Sequence, residues 1–139
     1  MKVFVEPMGF EPVRAHSTDA GLDLKAIVDT TIPARGSATF RTGVHIVLPP
    51  NTYGKLESKS GLNVAHNVVC CGGTIDEPYR GEILVKLYNL GDKPYEVCRG
   101  DKICQLIVQP CLYEDVELID ELDTNTSRGV RGFGSTGKQ

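Results

Sequence analysis

The stretch Gly81-Glu-Ile-Leu-Val-Lys-Leu-Tyr-Asn-Leu-Gly91 decides the fold class, because its pattern recurs along the chain. An apolar run lies between two glycines, and the other runs between glycines and prolines are also short and rich in β-branched residues. Such runs are typical of β-strands. We predict strands at Lys2–Val5, Ala38–Leu48, Tyr53–Ser58, Val68–Cys71, Glu82–Leu90, Tyr95–Cys98, Ile103–Gln109 and Val116–Ile119.

A single segment resembles a helix. Ser60 is suited to cap its amino terminus, and Leu62, Ala65 and His66 fall on one helical face. Many short strands with one short helix predict an all-β fold, a jelly-roll-like β-sandwich or barrel. The chain of 139 residues has room for one core, and we assign residues 1–122 to this β-domain.

The composition narrows the functional classes. Hydrophobic residues make up 40% of the chain and charged residues 24%, as in soluble globular proteins. The formal net charge is -3 and the pI is about 5.6, so there is no general attraction for a nucleic-acid backbone. No signal-like segment opens the sequence, and no stretch approaches the roughly 20 apolar residues that span a bilayer. We therefore expect a soluble, cytoplasmic protein without a membrane partner.

The cysteines and histidines do not indicate a metal site. The number of cysteines is odd and no pair has CxxC spacing, so we expect reduced, mostly buried thiols. The histidines are scattered, which leaves a zinc site with little support. The cysteines are Cys70, Cys71, Cys98, Cys104 and Cys111.

The carboxyl-terminal segment Asp123–Gln139 differs from the rest, because its apolar periodicity stops. Within it, Arg128-Gly-Val-Arg-Gly-Phe-Gly-Ser-Thr-Gly137 alternates glycines with arginine, one aromatic residue and hydroxyl residues. A frayed terminus is the ordinary interpretation of such a segment. However, free backbone N–H, hydroxyl and guanidinium groups also suit a loop that wraps around a phosphate. We predict a flexible arm over residues 123–139 that orders when an anion binds.

Two further segments carry groups of this kind. In Asp19-Ala-Gly-Leu-Asp-Leu-Lys-Ala26, Asp23 alternates with leucines, so on a strand its carboxylate points away from the core and, taken alone, into solvent. In Gly54-Lys-Leu-Glu-Ser-Lys-Ser-Gly-Leu62, Lys59, Ser60 and the Gly61 amide lie at a strand end just before the helix. They suit a phosphate, although Ser60 alone is more simply an N-cap.

Two segments remain. Gly73-Thr-Ile-Asp-Glu-Pro-Tyr-Arg-Gly-Glu82 is flanked by strand patterns and is predicted to form a β-hairpin. In Arg99-Gly-Asp-Lys-Ile-Cys-Gln-Leu-Ile-Val108, a turn leads into an apolar strand that contains Gln105. By alternation Gln105 shares a face with Ile103 and Ile107, so its side chain needs a buried partner or a ligand.

In this order, the five segments resemble the five motifs of the trimeric dUTP pyrophosphatases, or dUTPases. The resemblance extends from Asp19 to Gly137, and the third segment and the arm match the most specific motifs. It implies hydrolysis of dUTP to dUMP and pyrophosphate by attack of water on the α-phosphorus, with Mg²⁺ as cofactor. This activity limits uracil incorporation into DNA and supplies dUMP for thymidylate synthesis. The resemblance also implies a homotrimer with active sites shared between chains. In each site one chain supplies the hairpin, a second chain supplies both the second and the fourth motif, and the third chain supplies the arm.

The resemblance assigns a role to residues of each motif. Asp76 is the general base for water, and Tyr79 packs under the deoxyribose and excludes a 2′-hydroxyl. Asp23 holds Mg²⁺ through metal-bound water, since that ion is chelated mainly by the phosphates. Phe133 stacks on the uracil. Gln105 contacts a phosphate or the region of the catalytic water. The other substrate-binding residues are Lys59, Ser60 and Gly61 at the phosphates, main-chain groups of Cys70, Gly73, Thr74 and Ile75 at the base, and Arg128, Gly134, Ser135 and Thr136 in the arm.

Three positions depart from the family pattern. Lys59 stands where arginine is usual, which keeps the charge but loses the bidentate fork. Cys70 stands where many relatives carry asparagine, so a base contact there is expected from the backbone only. Val130 and Arg131 replace small residues, and Arg131 either contacts a phosphate or faces solvent.

Two other functions stay open as alternatives. A sister class with the same fold deaminates dCTP, but it uses a glutamate in the strand after the hairpin, where this chain has Lys86. Some viral relatives bind host proteins, and an arm ordered by dUTP is suited to such a switch. A regulatory protein partner is therefore the second alternative if the protein is of viral origin.

Overall fold

The structure, a computed structural model, describes residues 1–137, so Lys138 and Gln139 of the predicted arm lie outside the described residues. Within this range the regular structure is mostly strands with one short helix, which confirms the predicted all-β class. No helix of residues 1–137 is long and apolar enough to span a membrane. In chain order the elements are β1 (Lys2–Val5), β2 (Leu22–Lys25), β3 (Thr30–Ile32), β4 (Ser37–Arg41), β5 (Val44–Val47), β6 (Thr52–Glu57), α1 (Ser60–His66), β7 (Val68–Cys70), β8 (Thr74–Ile75), β9 (Leu84–Asn89), β10 (Tyr95–Val97) and β11 (Lys102–Pro110).

Two antiparallel sheets form the body of a β-sandwich. One has the strand order β2-β11-β6-β8 and the other the order β4-β9-β7, while β1 pairs with β5 and β3 with β10. One core joins the two sheets: it contains Leu24, Leu56 and Leu106 from the first and Phe40 and Val85 from the second. Burying side chains of this size stabilises a fold by about 1.5–3 kcal/mol each.

Three strand predictions need correction. The stretch Ala38–Leu48 forms two strands, because the chain turns at Thr42 and Gly43, and Gly43 has the left-handed φ of 66°. β3 lies where no strand is predicted. The predicted strand Val116–Ile119 is wrong for the single chain, since this segment pairs with no strand of the described residues. Its apolar side chains are left in solvent.

The predicted cap of the helix is also wrong. α1 begins at Ser60, so Lys59 occupies the N-cap position, where it makes no side-chain capping bond. At the other end Asn67 adopts a left-handed conformation with φ of 56°, which stops the helix. No residue of α1 is buried; on the predicted apolar face Leu62 is half-buried against the core, and the exposed His66 ring lies 4.9 Å from the Tyr95 ring, centroid to centroid. Ser60 lies at an exposed helix start.

The thiols are less buried than predicted. All five cysteines are free, but only Cys104 is buried, within β11. Cys70 and Cys111 are half-buried, whereas Cys71 and Cys98 are exposed. The two exposed thiols follow the last residues of β7 and β10, where the chain leaves the sheet and turns outward.

Candidate active site

The third motif lies in a loop that joins the two sheets rather than in a simple hairpin. Its flanking strands β7 and β9 are antiparallel partners, as predicted. Between them, however, β8 pairs with β6 of the opposite sheet, with Thr74 opposite Lys55 and Ile75 opposite Gly54. We call residues 71–83 the crossing loop. It is anchored in both sheets, which is a firmer support than a two-residue hairpin turn provides.

Asp76 begins a tight turn that follows β8. Its carbonyl accepts a hydrogen bond of 3.0 Å from the Tyr79 N–H, while its exposed carboxylate has no hydrogen-bond partner among the described residues. The Tyr79 hydroxyl donates to the Glu82 carbonyl at 2.8 Å. Gly81 makes room for this ring, since a Cβ there would lie 2.4 Å from the Tyr79 hydroxyl oxygen. The turn therefore presents a free carboxylate next to a fixed aromatic ring.

Two cavities meet at Thr74. The larger, of about 810 Å³, is lined on one side by Asp76. The smaller, of about 250 Å³, lies between β6 and the start of the crossing loop, and Cys70, Gly73 and Thr74 line it. Ile75 is buried and packs in the core instead. Three of the four residues predicted to read the base thus form a slot that adjoins the Asp76 cavity.

Ser58 ties this slot to the end of β6. Its hydroxyl donates to the Cys70 carbonyl at 3.2 Å and accepts from the Cys70 N–H at 2.9 Å. The Cys70 N–H therefore already has a partner, so the backbone contact predicted between Cys70 and the base would use the second lone pair of its carbonyl oxygen. Sequence reasoning did not assign a role to Ser58, since the role depends on the end of β7 coming close to the residue after β6, and these strands belong to different sheets.

Asp23 is buried, in contrast to the solvated position predicted for this side chain taken alone. It is 7% exposed and pairs with the ammonium groups of Lys59 and of Lys102, the latter at 2.7 Å. Burial disfavours the charged carboxylate, but hydrogen bonds from Lys102 and Lys59 outweigh this and hold the pKa of Asp23 below its usual value. The structure therefore adds Lys102 to the site, which no sequence pattern singles out.

We expect the variant Asp23→Asn to lose stability in a pH-dependent way. Because the folded-state pKa of Asp23 is lowered, its contribution is present above the unfolded pKa of about 4 and is lost as the pH falls through the folded value. At pH 7 the free energy of unfolding should fall by about 1–3 kcal/mol, since two lysines lose their partner. Urea unfolding at about pH 7 and pH 3, at one protein concentration, measures this. An equal deficit at both pH values would contradict it.

Gln105 has the partner that its position requires. It lies on β11 between β2 and β6, opposite Asp23 and Glu57. Its Nε2 donates to the Ser58 carbonyl at 3.1 Å. Gly21 allows this side chain to pack, because a Cβ there would lie 2.4 Å from Oε1 of Gln105. The first, second and fourth motifs therefore meet around Gln105 within one chain.

The face predicted for Gln105 is partly wrong. A register shift between Lys102 and Cys104 interrupts the alternation of β11, and Ile103 and Cys104 are both buried as a result. Ile103 therefore packs with the core face, and Gln105 shares its own face with Ile107 only. A shift of this kind depends on the neighbouring strand and leaves no mark in the local sequence.

One chain keeps Asp76 apart from the Asp23, Lys59 and Gln105 cluster. Asp76 shares its cavity with Tyr53, at the beginning of β6, whereas Lys59 follows the end of that strand. An extended chain from Tyr53 to Lys59 spans about 20 Å. The general base and the phosphate-binding lysine of the sequence prediction therefore do not form one site within a single copy.

The arm lies apart from the body of its own chain. The hydrogen bonds of residues 123–137 all join members of that segment, as when Arg128 donates to the carbonyls of Arg131 and Gly132 at 3.0 Å each. Phe133 is fully exposed. Arg131 donates to the carbonyl of Ser127 at 2.5 Å, so in this structure it serves the arm itself. The structure does not bring Gly134, Ser135 or Thr136 to the other motifs.

The variant Gly73→Ala tests whether the slot leaves room for a side chain beside Leu56. Gly73 has φ of 104°, and a Cβ there would lie 2.7–2.9 Å from side-chain atoms of Leu56. Overpacking and backbone strain together should lower the free energy of unfolding by about 2–4 kcal/mol. Gly72→Ala is the matched control, because Gly72 has φ of 79° but nothing within 4 Å. Thermal unfolding measures both, and equal losses would contradict the contact with Leu56.

The fold and site define a class: an all-β protein in which a slot adjoins an exposed carboxylate, while a buried carboxylate pairs with two ammonium groups elsewhere in the chain. Residues 11–137 match the family model described as dUTPase, which is most of the chain. The chain belongs to the dUTPase family.

Relatives agree with this assignment. The deoxyuridine 5'-triphosphate nucleotidohydrolase of Gloeothece citriformis is 44% identical over 135 residues, which cover 96% of this chain and 92% of that protein. The rat protein of the same name is 45% identical over 91% of this chain, which spans only 62% of the rat protein. A structure of the Staphylococcus bacteriophage 80alpha dUTPase with dUPNHPP has a TM-score of 0.91 at 24% identity, covering 98% of this chain and 97% of that one, and shows the shared fold.

Proposed function

We propose that this protein hydrolyses dUTP to dUMP and pyrophosphate in an active site assembled from three copies of the chain. The observation that carries the proposal is the free carboxylate of Asp76 beside the slot that Gly73 and Thr74 line. A nucleotide whose base enters the slot brings its α-phosphate toward the adjoining cavity. Membership of the dUTPase family supports this choice of substrate.

Asp76 acts as the general base. Its exposed carboxylate is free of partners in the described chain, so it can accept the proton of a water molecule that attacks the α-phosphorus. The bond from that phosphorus to the bridging oxygen breaks, and pyrophosphate leaves. The crossing loop is anchored in both sheets, which supports a fixed position for the carboxylate.

Selectivity comes from the slot and from Tyr79. Main-chain groups in the slot pair with the uracil edge, and cytosine would present a donor where uracil presents an acceptor, which leaves buried groups unpaired. The Tyr79 ring packs under the deoxyribose. Because its hydroxyl is held by the Glu82 carbonyl and Gly81 is pressed against it, the ring cannot easily move to admit a 2′-hydroxyl.

The triphosphate is bound by the cluster on the other side of the site. Lys59 exchanges its contact with Asp23 for the phosphates, and the exposed Ser60 and Gly61 at the start of α1 offer hydroxyl and N–H donors. Gln105 orients its amide toward the phosphates or the attacking water.

The arm closes the site. Arg128, Ser135 and Thr136 lie over the γ-phosphate, the arm bends at Gly134, and Phe133 covers the base.

Mg²⁺ fits this site as a water-bound ion. No group of three carboxylate, thiol or imidazole side chains that could hold a metal directly occurs among residues 1–137. Asp23 keeps lone pairs beyond those that its two lysines use, so it would hold a phosphate-chelated Mg²⁺ by accepting hydrogen bonds from the water of that ion. The ion would supply positive charge to offset the negative charge on the leaving pyrophosphate.

A trimer completes the site. Asp76 and Lys59 are too far apart to share one substrate within a chain, and residues 123–137 form hydrogen bonds only among themselves. The segment before the arm exposes a row of apolar side chains: Leu112, Val116, Leu118, Ile119 and Leu122 are each at least 63% exposed. Burial of these side chains against a neighbouring copy removes that apolar surface from water.

The test is pyrophosphate release with dUTP, UTP, dCTP and dTTP, each with and without Mg²⁺, together with ammonia release from dCTP. We expect turnover of dUTP alone, and we expect turnover to need the metal. Deamination of dCTP would instead favour the sister class. Absence of turnover with every nucleotide would leave the protein a binding module and would overturn the proposal.

A further inference from the structure

Glu77, which follows Asp76 in the chain, connects three separate segments. One oxygen of its carboxylate accepts a hydrogen bond of 2.5 Å from the Tyr113 hydroxyl and another of 2.9 Å from the Asn51 N–H. The Cys111 N–H in turn donates to the Asn51 carbonyl at 2.9 Å. The turn that carries Asp76, the turn before β6 and the segment after β11 are therefore joined at one carboxylate.

The hydrogen-bond donors around Glu77 favour the charged form of its carboxylate. The hydrogen bond from the Tyr113 hydroxyl lowers the pKa of Glu77, helped by the bond from the Asn51 N–H. The same contact raises the pKa of Tyr113 to about 12. At neutral pH the pair is a phenol donating to a carboxylate, which is among the stronger kinds of hydrogen bond in proteins.

The direction of the Asp76 carboxylate depends on how firmly its turn is held. Its own carboxylate has no partner among the described residues, so its direction is set by the backbone of the turn. Glu77 is the neighbouring residue of that turn, and its side chain ties the turn to β6 and to the root of the carboxyl-terminal segment. Arg80 donates to the Glu77 carbonyl at 2.8 Å and closes the turn from the other side.

We propose that Glu77 and Tyr113 are positioning residues, which hold the turn of Asp76 in its reactive place and link it to the segment that leads to the arm. The inference rests on the proposed function of Asp76 as general base. Tyr113 lies ten residues before Asp123, where the arm begins. In the proposed trimer the arm of each chain reaches another copy. The segment that leads to this arm is thus held beside Asp76 of its own chain.

Kinetics test the positioning role. In Tyr113→Phe, and separately in Glu77→Gln, kcat for dUTP should fall about tenfold with KM nearly unchanged, since misplacing a reacting group by about 1 Å costs up to about 100-fold. The double variant should lose little more than either single variant, because both remove one contact. Tyr88→Phe is the matched control, since Tyr88 lies on β9 beside Lys86 and is expected to keep full activity. Unchanged kcat in Tyr113→Phe would overturn the proposal.

A spectroscopic titration tests the contact without using activity. The protein has five tyrosines, and Tyr113→Phe identifies the signal of Tyr113 by difference. At about pH 11 Tyr113 should remain protonated in the wild type but ionise in Glu77→Gln, because an unperturbed phenol has a pKa of about 10. Ionisation of Tyr113 at its ordinary pH in the wild type would overturn the inference.

The two hypotheses fail in different ways. If the wild type hydrolyses dUTP and Tyr113→Phe does so equally fast, the positioning role is wrong and the proposed function stands. If the wild type hydrolyses no nucleotide, the proposed function is wrong, and with it the role of this pair in positioning a general base.

Discussion

Replacing Asp76 with asparagine is expected to lower kcat for dUTP by about 10²- to 10⁴-fold while KM changes little. Asparagine has nearly the same shape but cannot accept the proton of the attacking water. The variant should fold normally, because the Asp76 carboxylate is exposed and has no hydrogen-bond partner in the described chain. Single-turnover pyrophosphate release measures the chemical step directly.

The control for this substitution is Asp92→Asn. Asp92 is also exposed, and it lies in the turn between β9 and β10, away from the crossing loop. The same chemical change there should leave kcat within about twofold, as surface substitutions usually do. If Asp76→Asn retained wild-type turnover, water attack would need another base and the assignment would be wrong.

Deleting Arg128–Gln139 is expected to lower kcat/KM by at least about 100-fold while leaving the proposed trimer folded. The deletion removes Arg128, Ser135 and Thr136, which are proposed to close over the γ-phosphate, and Phe133, which is proposed to cover the base. Loss of one well-placed charge-stabilising donor alone costs about 10²–10³-fold in other enzymes. The body should not unfold, because the hydrogen bonds of residues 128–137 all lie within residues 123–137. Scattering of the truncated protein in solution reports its assembly.

Mixing the two inactive variants tests whether sites are shared. Asp76→Asn chains supply intact arms, and truncated chains supply intact Asp76. If arm and general base come from different chains, random mixed trimers should regain about a quarter of the wild-type sites after subunit exchange. Truncated protein and Asp76→Asn protein kept separate are the controls. No recovery after verified exchange would contradict a shared site, and full activity of the truncated protein would contradict closure by the arm.

The resemblance in the sequence was sufficient to predict the family, and the strand pattern was sufficient to predict the fold class. Both are local properties: apolar runs between glycines favour strands wherever they occur, and Gly73–Glu82 matches its motif without knowledge of its neighbours. Strand alternation alone also predicted that Gln105 needs a polar partner, whereas the role of Asp23 came only from the resemblance. The environments of these two side chains could not be predicted from the sequence.

Only the tertiary structure decided how these groups are arranged. Asp23 is buried with Lys59 and Lys102 because β2 and β11 are neighbours, and that pairing joins residues far apart in the chain. The separation of Asp76 from Lys59 follows likewise from the antiparallel pairing of β8 with Gly54 and Lys55, which directs Asp76 toward the beginning of β6. Sequence patterns of period two report which face a side chain takes, but not which strand lies beside it, because strand pairing is set by packing between distant segments.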